Sequence, residues 1–356
     1  KLKSEIKLKS IGKINLVAFV MSWHRDKKYY FNNWRGKYSS DGGVLTNQAI
    51  HLLDTLILRG IKRIQNSMIA IAESGSTKCD WVFLNKEGAE QTRIKTIGFN
   101  PYFHSSAFVA DSLSELDDFR GIANTVTHVF FYGAGCSTDA LQAQIASGLE
   151  QVFTKAQISV DHDLVAAAYS LYDGEPLISC ILGTGSNSCF YDGDKIHEAL
   201  PALGFILGDE ASGCHMGKQF ITDYLYKRLP ADIHEDFEGR YNLTWSDIRP
   251  EVYNSVHANV YLSAYMPFIY EWRDSDYVRQ LVVKSIRSFI SIHVASYPKY
   301  RDVPIGFVGS IAFLFQDIIK QELEKHGCRI GRIIRGPIES LVDYHKSKVS
   351  LLRTIS

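Results

Sequence analysis

The pattern of apolar and polar positions repeats one short motif at two places in the chain. Apolar residues at Ile69–Ala72 lead into the polar turn Glu73–Cys79, and apolar residues at Ile178–Leu182 lead into Gly183–Cys189. Aligned at their central glycines, both turns read [Ser/Thr]-Gly-Ser-[Thr/Asn]-x-Cys and lie 110 residues apart. A second, aromatic strand and a glycine turn follow each one. The pattern predicts two similar β-hairpins in a duplicated domain.

Further apolar runs end in glycine turns or at helix starts, and this alternation of strand and helix is typical of a parallel α/β sheet. The predicted elements are a strand at Val129–Cys136, a helix at Ser137–Phe153, a strand and helix at Val160–Ala168, a helix at Ser212–Arg228, a strand and helix at Val303–Lys325 and a closing helix from Pro337. Near the start of the chain, a strand is predicted at Ile14–Met21 and a helix at Asn47–Leu58.

The two polar turns are suited to binding phosphate. Glycine lets backbone N–H groups approach an anion closely, and hydroxyl groups add donors. Such turns also occur in ordinary hairpins, so the argument rests on the matched pair, which would hold the phosphates of one nucleotide. The candidate nucleotide-binding residues of the two turns are Gly75, Ser76, Thr77, Lys78, Gly183, Thr184, Gly185 and Ser186.

Composition and charge narrow the classes of function. Lys+Arg and Asp+Glu both count 39, so the net charge is zero, which disfavours nucleic acid and an anionic membrane surface as partners. The six cysteines are scattered and form no C-x-x-C pair, as in a reduced, cytoplasmic protein. No apolar run reaches membrane-spanning length. The P-loop, zincin and G-x-S-x-G signatures do not occur.

The segment Trp34–Gly60 resembles the Gfo/Idh/MocA sugar-oxidoreductase family. The resemblance implies that Asn47 and His51 correspond to its substrate-binding residue and catalytic histidine. No glycine-rich dinucleotide turn and no E-K-P lysine precede Trp34, so we expect residues 1–67 to form a fragment without its own activity. The apolar stripe of Leu53, Leu56 and Ile57 needs a partner surface, either the rest of the chain or a second copy in a homodimer.

The region from Met68 to Lys346 resembles the actin/hexokinase/Hsp70 ATPase superfamily, within it the BadF/BadG/BcrA/BcrD group, and most of all the N-acetylglucosamine kinase family. The motifs that carry the resemblance, in chain order, are Ala72–Lys78, Gly98–Pro101, Asp163, Gly183–Asn187, Leu203–Gly213 and Val303–Ala312. It implies an α/β, duplicated ribonuclease-H-like (actin-like ATPase) two-domain fold, preceded by a short α+β fragment. The implied boundaries are 1–67 for the fragment, 68–175 and 176–346 for the two ATPase domains and 347–356 for a tail.

The resemblance also implies roles for single residues. Asp163 corresponds to the catalytic base, although a carboxylate at a helix start also serves as an N-cap. Glu73 occupies the position of an aspartate that holds Mg²⁺ through water. Because glutamate is longer by one methylene group, the sequence does not decide whether the metal is held well enough for full activity. Gly309 and Ser310 correspond to the adenosine motif. The implied substrate residues are Asn100, Asn187, Asp209 and Glu210, of which Asp209 would bind sugar hydroxyls or help to order the metal.

The function that this resemblance implies is ATP-dependent phosphorylation of an amino sugar, most simply N-acetylglucosamine, with ATP and Mg²⁺ as cofactors and a small sugar as the partner. Three alternatives stay open. The chain is a BadF-type ATPase without sugar kinase activity, a nucleotide- or sugar-binding pseudoenzyme, or, on residues 1–67 alone, an oxidoreductase. The sugar itself is not specified by the sequence.

Overall fold

The computed structural model describes residues 67–355, except Ser76, and two short strands near the start of the chain. Side chains are described between residues 67 and 347. The short strands, β1 (Lys3–Glu5) and β2 (Ala18–Val20), pair antiparallel, and β2 lies within the strand predicted at Ile14–Met21. The predicted helix at Asn47–Leu58 and the residues Asn47 and His51 lie outside the described residues. Contacts divide the chain into Lys1–Gln65 and Asn66–Ser356.

The second unit begins with a five-stranded mixed sheet. Its strands are β3 (Met68–Ser74), β4 (Lys78–Asn85), β5 (Glu90–Ile97), β6 (Val126–Gly133) and β7 (Gln157–His162). They lie in the order β5-β4-β3-β6-β7. The pairs β3–β4 and β4–β5 are antiparallel, whereas β3–β6 and β6–β7 are parallel. The first sheet therefore joins a meander to two parallel crossovers.

A second sheet follows with the same topology. Its strands are β8 (Leu177–Leu182), β9 (Ser186–Tyr191), β10 (Ile196–His197), β11 (Pro304–Val308) and β12 (Arg329–Ile334). The order β10-β9-β8-β11-β12 and the strand directions repeat those of the first sheet. The duplication predicted from the two hairpins is thus present in the strand order.

Helices cover the sheets, and several begin at a side-chain N-cap, as at Ser105, Thr138, Ser212 and Ser275. The helices are α1 (Ser106–Ser114), α2 (Asp117–Ile122), α3 (Asp139–Val152), α4 (Asp163–Leu171), α5 (Gly204–Leu207), α6 (Gly213–Leu225), α7 (Ala231–Tyr241), α8 (Trp245–Tyr253), α9 (Ala258–Ser263), α10 (Met266–Glu271), α11 (Asp276–Phe289), α12 (Ser310–Leu314), α13 (Gln316–Lys325) and α14 (Ile338–Ile355). A 3₁₀ turn covers Ala123–Thr125, and a π-helical turn covers Ile290–Val294.

Helix α4 lies between the two sheets. Its residue Ala166 packs in a cluster with Ile71 and Val82 of the first sheet, whereas Ala167 packs with Leu177 of the second. The small alanine side chains let both sheets approach the helix closely. The first residue of α4, Asp163, therefore lies where the two halves of the unit meet.

Two boundaries differ from the sequence prediction. The helix predicted to run to Lys325 is divided at Phe315 into α12 and α13, because the backbone there has left the helical region (φ −110°, ψ 26°). Helix α14 continues through residues 347–355, which the sequence assigned to a tail. Within the described part of the chain, every helix is too short or too polar to cross a bilayer.

Candidate functional site

The carboxyl ends of β3, β6 and β7 lie side by side at one edge of the first sheet. Ser74 is opposite Gly133, and Gly133 is opposite His162. The buried Ser74 hydroxyl accepts a hydrogen bond from the Phe99 N–H (2.7 Å), and the Ser74 carbonyl accepts one from the Ala134 N–H (2.9 Å). The end of β3 thus anchors the loops that follow β5 and β6. In open α/β sheets, this edge is where ligands bind.

Asn100, a candidate sugar residue, packs against the turn after β6. Its Oδ1 accepts a hydrogen bond from the Tyr102 N–H at 3.0 Å, which forms an Asx turn. Gly135 has φ of 82°, and a Cβ there would lie 2.5 Å from Asn100 Oδ1. The loop that contains Asn100 and the turn that contains Gly135, which are separate in the sequence, therefore form one wall of the candidate site. Among the residues described, none accepts a hydrogen bond from Asn100 Nδ2, so this group can donate to a ligand.

Glu73 and Asp163 influence each other at the same edge. Burial raises the pKa of Glu73 to about 7. The Lys78 ammonium opposes this shift, whereas the Asp163 carboxylate adds to it. Burial also raises the pKa of Asp163, against the lowering effect of His162, whose Nε2 lies 3.2 Å from Asp163 Oδ1, and of N–H groups at the start of α4. A raised pKa makes Asp163 a stronger base toward a sugar hydroxyl.

The raised pKa of Glu73 gives a pH-dependent contribution to stability. The folded protein keeps on Glu73 a proton that the unfolded chain releases near pH 4.5, so this contribution is complete below that pH and is lost as the pH rises through about 7. Relative to Glu73→Gln, we expect the wild-type free energy of unfolding to fall by about 3 kcal/mol across this window. Denaturant titrations between pH 4.5 and 7.5 measure it, with the exposed Glu87→Gln as control. Parallel curves for wild type and Glu73→Gln would contradict the prediction.

Asp80 joins this row of carboxylates, although the sequence analysis did not select it. It lies on β4 directly opposite Glu73. Lys78 Nζ is 3.0 Å from Asp80 Oδ2, and Lys95 Nζ is 3.8 Å from Asp80 Oδ1. The pairing register that places Asp80 across from Glu73 was not predicted from the sequence, which assigned Glu73–Cys79 to a turn. Lys78, a predicted phosphate ligand, is therefore paired with Asp80, while Thr77 is exposed and Ser76 lies outside the described residues.

The second phosphate turn is fixed by the start of α6. The turn is closed by the Gly183 N–H, which donates to the Gly185 carbonyl at 2.9 Å. The Gly213 N–H donates to the Gly183 carbonyl (2.8 Å), and the Cys214 N–H donates to the Thr184 carbonyl (3.1 Å). The carbonyl groups of the turn thus face the helix, and the position of the turn depends on α6.

Asp209 lies against this same turn. Its Oδ1 accepts a hydrogen bond from the Ser186 N–H at 3.3 Å, and a Cβ on Gly185 would lie 3.0 Å from Oδ2. Burial raises the pKa of Asp209, and the Ser186 hydrogen bond opposes the shift. Of the two roles expected for Asp209, contact with the phosphate turn favours ordering the metal over binding the sugar. Ala211 has φ of 62°, a backbone conformation that favours glycine.

Glu210 is oriented by His293, which the sequence analysis did not select as a site residue. Glu210 Oε2 lies 3.0 Å from His293 Nε2. Burial alone would raise the pKa of Glu210, but the hydrogen bond with His293 and the protein backbone lower it below the usual value. His293 is in the π-helical turn after α11 and stacks on Phe289. Since 83 residues separate the pair, no local pattern could have revealed it.

Gly309 brings the candidate adenosine motif to the second phosphate turn. It has φ of 129°, and a Cβ there would lie 2.1 Å from the Leu182 carbonyl oxygen, so no side chain fits. Its N–H donates to the Ile334 carbonyl at 3.0 Å. Ser310 then begins α12. Asn187 lies on β9 and accepts from the N–H of its neighbour in sequence, and no hydrogen bond within the described residues joins it to the other candidate sugar residues.

Asp163 lies within electrostatic reach of both sheets. The Cys189 Sγ of β9 is 3.9 Å from the Leu164 carbonyl oxygen, one residue after Asp163. Burial raises the pKa of the Cys189 thiol, and the charges of Glu198 and Asp163 add to the shift. Because α4 packs against both sheets, the candidate base at its start lies between the strands that carry the two phosphate turns.

The residues at these edges fit a nucleotide with Mg²⁺. A Cβ on Gly183 would meet no atom within 4 Å, and one on Gly75 would meet only the Lys78 carbonyl at 3.8 Å, so the space above both turns is open to a ligand. In nucleotide sites, Mg²⁺ is usually bound by one or two carboxylates, together with phosphate oxygens and water. Glu73 and Asp209 can supply the carboxylates. Among the described residues there is no cluster of three or more metal-ligating side chains, so no dedicated metal cage is indicated there.

Comparisons with known proteins bear on the fold and on the family. No family model matches the chain, and no curated protein gives a significant match, so the BadF/BadG/BcrA/BcrD and Gfo/Idh/MocA resemblances stay predictions. A solved structure from Porphyromonas gingivalis, provisionally assigned as an N-acetylglucosamine kinase, is 36% identical with a TM-score of 0.74 and covers 79% of this chain and 99% of that chain. Another with that provisional assignment, from Chromobacterium violaceum, is 15% identical with a TM-score of 0.60 and covers 78% and 98%, a likeness of fold alone. The predicted duplicated, two-domain actin-like fold is confirmed.

Proposed function

The chain belongs to the N-acetylglucosamine kinase family of actin-like sugar kinases, and we propose that it transfers the terminal phosphoryl group of ATP to a hydroxyl group of N-acetylglucosamine. The observation that supports this best is the position of Asp163. It begins the helix packed between two sheets of identical topology, each of which presents a glycine- and hydroxyl-rich turn at the end of its first strand.

In the proposed reaction, each group at the site has a separate task. Asp163 accepts the proton of the attacking hydroxyl group. The Asn100 amide orients the sugar by donating from Nδ2, and Glu210, held by His293, accepts hydrogen bonds from the sugar hydroxyl groups. The turns at Gly75 and at Gly183–Ser186 lie beside the phosphates, with Gly309 and Ser310 beside the adenosine. Glu73 and Asp209 would hold Mg²⁺, whose charge would balance the negative charge that develops on the phosphate oxygens.

The experiment that tests the proposal measures ADP release with and without sugar. A sugar kinase releases ADP in proportion to N-acetylglucosamine, and the product is a sugar phosphate detectable by mass spectrometry. Release without sugar would favour the BadF-type ATPase instead. Tight binding of nucleotide and sugar without ADP release would favour a pseudoenzyme. Comparison among N-acetylglucosamine, N-acetylmannosamine, glucosamine and glucose identifies the preferred substrate.

A Gly183→Ala substitution separates the proposed phosphate contact from folding. A Cβ fits at Gly183 without contact, so we expect the free energy of unfolding to change by less than about 0.5 kcal/mol. The methyl group would fill the space assigned to a phosphate, so we expect the KM for ATP to rise by about tenfold, as for one lost charge-assisted hydrogen bond. Gly121→Ala, also free of contacts but exposed in α2, is the control for KM. An unchanged KM in Gly183→Ala would remove this turn from the nucleotide site.

A second candidate function, nucleotide or sugar binding with little turnover, is favoured by one observation. Glu73 occupies the position of the family's aspartate, and its pKa near 7 leaves it partly protonated at neutral pH. A protonated carboxyl group is a poor ligand for a divalent cation, directly or through water. Weak occupancy by Mg²⁺ would then limit phosphoryl transfer.

We therefore expect Glu73→Asp to lower the Mg²⁺ concentration needed for half-maximal activity, because the shorter side chain restores the geometry of the family. Activity measured across a Mg²⁺ titration at fixed ATP reports this, and Glu87→Asp, an exposed position in the β4–β5 turn, is the matched control. If the Mg²⁺ dependence is the same in Glu73→Asp as in the wild type, Glu73 does not act at the metal.

A further inference from the structure

A second pocket lies at the opposite end of α4 from Asp163. Its volume is about 430 Å³, within the range of small-molecule sites. The residues around it come from the end of α4, the turn between β9 and β10, strand β12 and helix α14. They are Tyr169, Tyr172, Asp173, Tyr191, Arg332, Asp343 and Tyr344, with serines and glycines between them.

Four tyrosine rings form a continuous aromatic wall in this pocket. Tyr169 stacks on Tyr344 with ring centroids 4.2 Å apart. Tyr191 meets Tyr169 and Tyr172 edge to face, at 5.7 Å and 5.1 Å. The hydroxyl group of Tyr191 donates to the Gly193 carbonyl at 2.9 Å, which fixes its ring. The apolar face of a small ligand ring can pack against this wall, and a cation is attracted to the faces of the tyrosine rings.

The charged residues that line the pocket are Asp173, Asp343 and Arg332, so the lining has a net charge of −1. Asp173 and Asp343 are exposed among the lining residues. The only pairing of Asp343 among the described residues is with Lys346 at 3.7 Å, an exposed contact that contributes little. The Arg332 guanidinium is already directed at the protein, with Nη1 3.1 Å from the Ser170 carbonyl oxygen and Nη2 3.4 Å from Ser340 Oγ. Asp173 has no ion pair among the described residues and Asp343 has only this weak one, so both carboxylates can contact a ligand, with the Arg332 charge held away by its bonds to the protein.

The pocket is built from both halves of the unit. Helices α4 and α14 pack on the first sheet, where Ala166 and Leu341 contact Ile71. Tyr191 and Arg332, in contrast, lie on strands of the second sheet. A ligand in the pocket would therefore contact both halves at once, at the far end of the helix that begins with the candidate catalytic base.

We propose that this pocket is a second binding site, distinct from the phosphoryl-transfer site, for a small protonated amine on a ring about the size of a hexose, such as an unacetylated amino sugar. The ring lies against the tyrosine wall, and the ammonium group lies between Asp173 and Asp343. An N-acetylated sugar carries no such charge and is not retained there. The proposal goes beyond the kinase assignment and does not depend on it.

The test is a calorimetric titration of the full chain with D-glucosamine, and with D-glucose as the neutral probe, both in saturating N-acetylglucosamine. We expect glucosamine to bind and glucose not to bind. In the double variant Asp173→Asn/Asp343→Asn, affinity for glucosamine should fall by at least about tenfold, since two charge-assisted contacts are lost. Both residues are exposed, so folding should be unaffected, which a thermal melt verifies.

The matched control is Asp117→Asn/Asp274→Asn, which removes two exposed carboxylates outside the pocket. It should bind glucosamine as the wild type does. Asp163→Asn should also retain glucosamine binding, so an inactive or misassigned kinase leaves the result interpretable. Equal binding of glucose and glucosamine would overturn the proposal, as would the absence of glucosamine binding or an affinity unchanged in the pocket double variant.

Discussion

Asp163→Asn is expected to lower kcat by on the order of 10²-fold or more, which is the usual contribution of a positioned general base. The amide has the same shape as the carboxylate but cannot accept the proton of a sugar hydroxyl group. Because burial already raises the pKa of Asp163, the wild-type carboxylate has a higher proton affinity than an exposed aspartate. Sugar binding should survive, since Asn100 and Glu210 are untouched. Steady-state kinetics and direct calorimetric titration of sugar separate the two effects.

The control for this prediction is Asp139→Asn. Asp139 occupies the first turn of α3 as Asp163 occupies the first turn of α4, so both substitutions remove a carboxylate that interacts favourably with a helix dipole. The loss of the favourable interaction with the helix dipole should cost less than ~1 kcal/mol of stability. Since the protein stays folded, we expect Asp139→Asn to change kcat by less than about twofold. A kcat near the wild-type value in Asp163→Asn would exclude Asp163 as the base and leave only its role at the helix start.

Most of the fold could be predicted from the sequence because the patterns that indicate its strands and turns are local and occur twice. The hairpin at Ile69–Cys79 and the hairpin at Ile178–Cys189 each place a strand, a polar turn and a strand within about a dozen residues, where periodicity and turn chemistry decide the structure. Once the two are aligned, one sheet order predicts the other. The end of a strand and the start of a small-residue helix at Asp163 were predictable for the same reason, whereas its role as the base is implied by the resemblance and stays a prediction.

The contacts within the site were not predictable in this way, because they join segments that are distant in the chain. The Asp209 carboxylate reaches Ser186 from 23 residues away, and an aspartate in a polar stretch does not by itself indicate the left-handed backbone that Asp209 adopts. The edge-to-face contact of Phe103 with His257 joins the loop after β5 to the start of α9. Periodicity indicates which face of an element is buried, but not which distant loop it meets.

Helix α6 links the stability of the second half to its phosphate turn, and one glycine makes this possible. Gly217 faces α9, and a Cβ there would lie 2.0 Å from the Leu262 carbonyl oxygen and 2.8 Å from its carbonyl carbon. These are backbone atoms of another helix, so no side-chain rotation can relieve the overlap. The two helices would have to move apart, which would open the core around Met216 and Phe220.

We therefore expect Gly217→Ala to lower the free energy of unfolding by about 2–3 kcal/mol. The same substitution at Gly239, exposed in α7 with no atom within 4 Å of a new Cβ, should raise it by about 0.5–1 kcal/mol, since alanine favours helix over glycine. Denaturant titration of both variants measures the pair. Because the start of α6 holds the Gly183–Thr184 carbonyl groups, Gly217→Ala should also raise the KM for ATP, whereas Gly239→Ala should not. Equal stability changes of the same sign would show that α6 and α9 are not packed as closely as this geometry requires.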